Sequence, residues 1–174
     1  MRCGHGYRQS CSDRRGTTMA NCLAAKVKEA RMWTNQKDTL TATAEKRRND
    51  RYLPEVRQSP KIQATDDIAK AVEGCTLTVW ALPMQYLRSR VKQSRPFLTG
   101  EMSAANLGKG IEEKTWARPS EILMKEFGKF QTVGSLMGPN ITKEVAQGFF
   151  AEATLALSKF CNVDRREKVL VSHD

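Results

Sequence analysis

Lys109 stands between two glycines in the stretch Asn106-Leu107-Gly108-Lys109-Gly110. Backbone without Cβ atoms on either side lets a ligand come close, and an ammonium fixed there meets a phosphate or a polarised carbonyl oxygen. A second constellation, Gly138-Pro139-Asn140, predicts the opening of a helix that runs to about Gln147. The free N–H groups of residues 140–142 and the positive end of the helix dipole then make an anion site. Plainer alternatives stand beside both readings: a solvated turn lysine, and an ordinary N-cap by Asn140. Tyr86, just past Pro83, packs on a helix face or against a ligand. Trp33 ends an apolar stretch and is either a core residue or a platform for a flat ring.

Other chemistries are disfavoured. The five cysteines, Cys3, Cys11, Cys22, Cys75 and Cys161, form no C-x-x-C pair, and both histidines lie near the ends of the chain, at positions 5 and 173. Metal centres need clustered ligands, so neither a metal site nor a disulfide framework is expected. A Cys–His nucleophile pair would need a terminal histidine to fold back.

The elements that must position these residues alternate. Helices are expected over residues 17–28, 36–50, 65–72 (with Thr65 as N-cap), 84–94, from Pro119 onward, and over 163–171. Strands are expected over 29–34, around Ile62 and Ala64, over 76–82, 102–107, 132–137 and 151–158. Strands separated by helices of about ten residues indicate βαβ units, hence an α/β fold with a parallel sheet and helices on both faces. Ligands of such sheets sit beyond the carboxyl ends of the strands. That rule selects the loops before Gly16, after Trp33 and after Leu82, and the turns at 108–110 and 138–140.

The chain has 174 residues and a net charge of +10, with thirteen Lys/Arg against six Asp/Glu in residues 1–57. A basic, ordinarily hydrophobic chain of this size suits one folded domain with an anionic partner. Small phosphorylated molecules fit that charge. Nucleic acid is the weaker expectation, because no groove-reading motif accompanies the basic residues. No apolar run approaches a membrane span, and the first sixteen residues lack the apolar core of a secretory signal, so a cytoplasmic protein is expected.

Six pieces together resemble the N-terminal domain of NAD(P)-dependent glycerol-3-phosphate dehydrogenase. They are Gly16-Thr17-Thr18-Met19-Ala20, Met32-Trp33, Arg48-Asn49 with Tyr52-Leu53-Pro54, Leu82-Pro83 with Gln85-Tyr86-Leu87-Arg88, Lys109-Gly110-Ile111-Glu112, and Gly138-Pro139-Asn140-Ile141 with Glu144-Val145-Ala146. The resemblance covers residues 16 to about 158. It implies a Rossmann-type domain binding NAD or NADP over residues 16–174, preceded by an irregular basic segment over 1–15. It also implies hydride transfer between the nicotinamide and dihydroxyacetone phosphate or sn-glycerol 3-phosphate. Arg14, Arg15, Gly16, Trp33, Asn35, Pro83, Tyr86, Lys109 and Thr142 would then contact the cofactor. Lys109, Gly138 and Asn140 would contact the substrate, with Lys109 also catalytic.

The sequence departs from the family in three places. The family opens with an apolar strand and a G-x-G-x-x-G turn; here Cys11 and Asp13 stand at the first two glycine positions, only Gly16 remains, and residues 1–10 do not read as a buried strand. The second glycine lets backbone approach the pyrophosphate, and Asp13 adds a side chain and a negative charge there, partly offset by Arg14 and Arg15. The family's second, helical domain, which carries another catalytic lysine, would begin beyond Asp174. Finally, Thr34-Asn35-Gln36-Lys37 lacks the acid that many NAD enzymes use for the ribose hydroxyls. Asn35 suits a ribose hydroxyl and Lys37 tolerates a 2′-phosphate, leaving NAD and NADP both open. The competing expectation is a catalytically inactive nucleotide- or phosphate-binding remnant acting as an interaction module. A homodimer or a separate C-terminal chain is the expected assembly partner.

Overall fold

Residues 76–80, Thr76-Leu77-Thr78-Val79-Trp80, are β-branched, apolar or aromatic and uncharged, and they lie in the strand around which the rest assembles. The computed structural model describes residues 6–9, 13–100, 102–128, 132–138, 141–157 and 168–171. Chain order is β1 (Gly6–Gln9), α1 (Arg14–Ala24), β2 (Ala30–Trp33), α2 (Lys37–Lys46), β3 (Arg48–Asn49), β4 (Leu53–Arg57), β5 (Ile62–Thr65), α3 (Ile68–Val72), β6 (Cys75–Trp80), α4 (Met84–Ser94), β7 (Ser103–Asn106), α5 (Pro119–Phe127), β8 (Thr132–Met137), α6 (Thr142–Ala146), β9 (Ala151–Leu157) and β10 (Lys168–Val171).

An eight-stranded sheet carries the strands in the order β10-β9-β8-β7-β6-β1-β2-β5. The six strands from β8 to β5 are parallel. The period of two along β6 splits the core. Leu77 and Val79 face Ala20, Ala24, Met32 and Ile62 beneath α1. Trp80 joins Leu87, Val91, Ile122, Leu123 and Val133 beneath α4 and α5, with its ring edge-on to Phe127 at 5.5 Å. Helices therefore cover both faces. No described helix is long and apolar enough to cross a membrane.

Four local expectations change. The segment expected to be irregular contributes β1, which pairs by backbone with both β2 and β6; pairing on both sides makes a strand of a sequence with little apolar character. Residues 168–171, expected to be helical, form β10, antiparallel to β9. β9 itself is antiparallel to β8. The cap of α3 is Asp67, whose carboxylate accepts from the N–H groups of Ala69 and Lys70, and not Thr65, whose hydroxyl accepts from the Asp67 N–H instead.

Close approach fixes the turn after β7. The Asn106 side chain is buried and brackets Gly108, with Oδ1 accepting from the Gly108 N–H and Nδ2 donating to its carbonyl, both at 2.9 Å. A Cβ on Gly108 would lie 3.0 Å from Asn106 Oδ1 and 3.0 Å from the Leu82 carbonyl oxygen. Gly108→Ala is expected to cost about 1–3 kcal/mol, because the backbone oxygen cannot yield as a side chain would. A lowered urea midpoint with an unchanged slope is the result to look for, and an unchanged midpoint would contradict this packing.

Candidate active site

From β1 the chain proceeds outward to β2 and β5 in one direction, then returns to β6, β7 and β8 in the other. The crevice beyond the carboxyl ends of β1 and β6 is therefore the topological switch point, where ligands of such sheets bind. Into it point the N-terminus of the eleven-residue α1 and the turns after β7 and β8. A cleft of about 390 Å³ there is lined by Asp13, Arg14, Arg15, Lys109, Gly138 and Thr142 among others. Lys109 and Gly138 meet because β7 and β8 are parallel neighbours, Asn106 opposite Ser135, and so end on the same edge.

Each wall has a physical anchor. Buried Asn49 donates from Nδ2 to Thr17 Oγ1 at 2.8 Å and accepts at Oδ1 from the Tyr52 N–H at 3.2 Å, tying α1 to the β3–β4 hairpin. Arg14 Nε donates to the Tyr52 carbonyl at 2.9 Å. Thr18 Oγ1 donates to the Thr142 carbonyl at 3.4 Å, holding α6 against α1. Arg15 reaches across the crevice, donating to the Leu107 carbonyl at 3.3 Å and lying 3.8 Å from the Asp13 carboxylate.

Asp13 is the N-cap of α1, and its carboxylate accepts from the Gly16 N–H at 2.7 Å. Burial pushes this carboxyl above its ordinary range, against the opposing pull of the Gly16 N–H and the Arg15 guanidinium. The chain's own anion thus occupies a donor that the G-x-G-x-x-G turn leaves free for a phosphate.

The loop that carries Lys109 is clamped to α4. Gln85 donates from Nε2 to the Ile111 carbonyl at 3.3 Å and accepts from the Glu113 N–H at 3.0 Å. Arg88 grips both Glu112 oxygens at 2.8 and 2.7 Å, and its remaining nitrogen donates to Glu126 on α5. Thr115 donates to Glu112 as well. The clamp holds a loop in which Lys114 and Trp116 both adopt left-handed backbone, at φ 69° and 57°. The sequence singled out Gln85, Arg88 and Glu112 only as pieces of a resemblance; their joint role depends on contacts between residues more than twenty positions apart.

The Arg88 hydrogen bonds hold the Glu112 carboxyl down at about 2, well below 4.5, against the opposing effect of burial. A depressed carboxyl contributes stability that is complete above its unfolded value and lost as pH falls. Stability is expected to decline as pH drops from about 4.5 toward about 2, and Glu112→Gln should flatten that part of the profile. Urea unfolding at pH 6 and pH 3 measures it; equal pH slopes in the two proteins would contradict it.

The remaining candidates are placed as follows. Asn35 is exposed in the turn after β2, while Pro83 and Tyr86 are exposed at the start of α4, Tyr86 at 61%. Trp33 is buried, donates from Nε1 to the Asp66 carbonyl at 2.9 Å, and lies under the Arg90 guanidinium, 4.9 Å from its ring centroid. Gly16 is buried within α1. Asn140 falls outside the described residues. The helix expected from Asn140 is the five-residue α6, capped by Ile141 without a side-chain hydrogen bond. So short a helix has little dipole, and the cleft draws its positive charge from Arg14, Arg15 and Lys109 instead.

These features define a Rossmann-type dinucleotide-binding fold. The donor set suits NAD(P): cations for phosphates around a helix N-terminus, and an open turn after β2 for a ribose. Among the described residues, Asp13 at the phosphate turn is a misfit.

Residues 14–161 match the family model described as NAD-dependent glycerol-3-phosphate dehydrogenase N-terminus, and the chain belongs to that family. It is 32% identical over 145 residues to the glycerol-3-phosphate dehydrogenase [NAD(P)+] of Citrifermentans bemidjiense, a match covering 82% of this chain and 43% of that protein. The protein of the same name from Nocardia farcinica is 34% identical, with 82% and 44% covered. The chain thus spans less than half the length of these relatives. A solved glycerol-3-phosphate dehydrogenase from Coxiella burnetii superposes with a TM-score of 0.84 at 22% identity, covering 91% of this chain and 48% of that one. That likeness concerns the fold.

Proposed function

We propose that this chain is the nucleotide-binding half of an NAD(P)-dependent glycerol-3-phosphate dehydrogenase of the cytoplasm. It would interconvert dihydroxyacetone phosphate and sn-glycerol 3-phosphate together with a second domain or chain. The observation that carries this reading is the single cleft in which Lys109, Gly138 and the N-terminus of α1 converge at the sheet's switch point. NAD(P), when bound, supplies or accepts the hydride. The residues of this chain bind and orient. Arg14, Arg15 and the start of α1 face the cofactor phosphates. Asn35 faces a ribose. Pro83, Tyr86 and Thr142 border the cofactor on the β6 and β8 sides. The Lys109 ammonium holds positive charge against the substrate phosphate or its carbonyl oxygen, beside the backbone at Gly138.

Joining this chain in frame to the second half of the Citrifermentans bemidjiense relative tests the reading. Consumption of NADH or NADPH that depends on dihydroxyacetone phosphate is expected. A folded fusion without that activity, alongside an active native relative, would refute it.

The second reading, a catalytically silent nucleotide- or phosphate-binding remnant, is favoured by the Asp13 carboxylate on the Gly16 N–H. With that carboxylate in place, dinucleotide binding is expected near 1 mM, about −4 kcal/mol. Asp13→Gly should tighten it about tenfold while costing only a few tenths of a kcal/mol in helix capping. Titration of tryptophan emission measures this, and an unchanged affinity would place the pyrophosphate elsewhere.

A further inference from the structure

We infer that this chain carries a second binding site, apart from the cleft at the switch point, for a small organic anion: a phosphate or carboxylate group on a compact apolar body. The site is a hollow of about 610 Å³ between α1, the end of α2, the segment 56–60 and α6. That volume lies within the range of small-molecule sites. The hollow shares only Cys22 and Val145 with the cleft that holds Lys109.

An unsatisfied amide marks it. Gln58 lines the hollow and is 2% exposed, yet neither its side-chain nitrogen nor its oxygen has a hydrogen-bond partner. Its backbone is fixed on both sides. The Gln58 N–H donates to the Arg47 carbonyl at 2.7 Å. Asn21 on α1 holds both neighbours, donating from Nδ2 to the Arg57 carbonyl at 3.2 Å and accepting at Oδ1 from the Ser59 N–H at 2.9 Å. A buried amide without partners costs stability and calls for a partner from outside the fold. Turned into the hollow, it offers a ligand two N–H donors and an acceptor oxygen.

The charge of the walls sets the sign of the ligand. Arg47 and Arg57 both line the hollow, and no described carboxylate does. Arg47 caps α2 with left-handed backbone, and its Nη1 donates to the Ile62 carbonyl at 2.9 Å, which holds the guanidinium in place. Arg48, opposite Arg57 across the β3–β4 hairpin, has the Asp50 carboxylate at 3.2 Å, and the Glu55 carboxylate lies 3.7 Å from Lys143. These acids are committed to other cations, and among the described residues Arg57 has no carboxylate partner. Guanidinium forks suit phosphate and carboxylate oxygens. Val56, Val145 and Ala146 supply an apolar wall for the body of the ligand.

Phenyl phosphate is the probe, with phenol as its uncharged counterpart. Amide proton–nitrogen spectra of the 174-residue chain read the site directly. The signals of Ala25, Val56, Ser59 and Ala146 are expected to shift saturably, with a Kd of about 1 mM for phenyl phosphate and a value at least about tenfold weaker for phenol. Lys109 and Gly110 report any binding in the other cleft in the same spectra. Arg57→Gln should weaken binding at the first set of reporters about tenfold, the worth of one charge-assisted contact. Gln58→Leu should weaken it by a similar factor while holding or raising Tm, because it removes an unpaired buried amide. Shifts confined to Lys109 and Gly110, no shift at all, phenol binding as tightly as phenyl phosphate, or an affinity unchanged in both variants would overturn the inference. So would a Tm lowered by Gln58→Leu, since the amide would then be satisfied within the fold.

Discussion

Arg88→Leu is expected to lower the unfolding free energy by about 3–5 kcal/mol, because it strands two largely buried carboxylates at once. The Glu112 and Glu126 side chains are 12% and 10% exposed, and Arg88 supplies the positive charge that both carboxylates contact. In a chain of this size such a loss corresponds to a fall of about 6–20 °C in Tm. Replacing all three residues by apolar side chains of similar volume should recover most of the stability, since a fully removed ion cluster leaves no uncompensated charge. The clamp on the Lys109 loop would not return with it. Thermal unfolding of the single and triple variants separates the two effects. A single variant as stable as the parent would show that the cluster is solvated in solution.

Lys109→Ala in the two-domain fusion is expected to reduce kcat/KM by about 10²–10³, the scale of losing one preorganised charge at a reacting oxygen or phosphate. Stability should hardly change, because Lys109 is exposed. Lys109→Arg should rescue poorly, since a planar fork does not reproduce a compact charge in a site bordered by glycine backbone. Steady-state kinetics with dihydroxyacetone phosphate decides the matter. Full activity in the alanine variant would remove Lys109 from the site and leave only the fold.

How much of this was legible depended on whether the signal was local. The strand over 76–82 could be read from its β-branched and aromatic residues, and α5 from Pro119 in its first turn. The meeting of Lys109 with Gly138 followed from parallel strands alone, because neighbours running the same way must end together. β4 carries no legible pattern because Pro54, Glu55 and Arg57 break any alternation; only Leu53 and Val56 of the strand are buried. β1 carries none either, since it is held by pairing with the strands on either side of it. The Arg88–Glu112–Glu126 cluster joins residues 24 and 38 positions apart, a distance over which sequence pattern carries no contact information. Asp13 was legible as an intruding charge, but its service as the cap of α1 required coordinates.

The two antiparallel strands at the end of the sheet act as a reversing spur. A chain leaving β8 turns back along β9 and turns again along β10, so Val171 arrives at the same rim of the sheet as Gly138 and Lys109. Three lateral steps separate β10 from β7. At about 4.8 Å per step the offset is about 14 Å, which some five residues of extended chain can cross. Chain continuing past Val171 therefore sets out from the rim that carries the proposed site, within reach of the cleft by a short tether. A single added strand would have delivered it to the opposite rim, a full strand length away from Lys109.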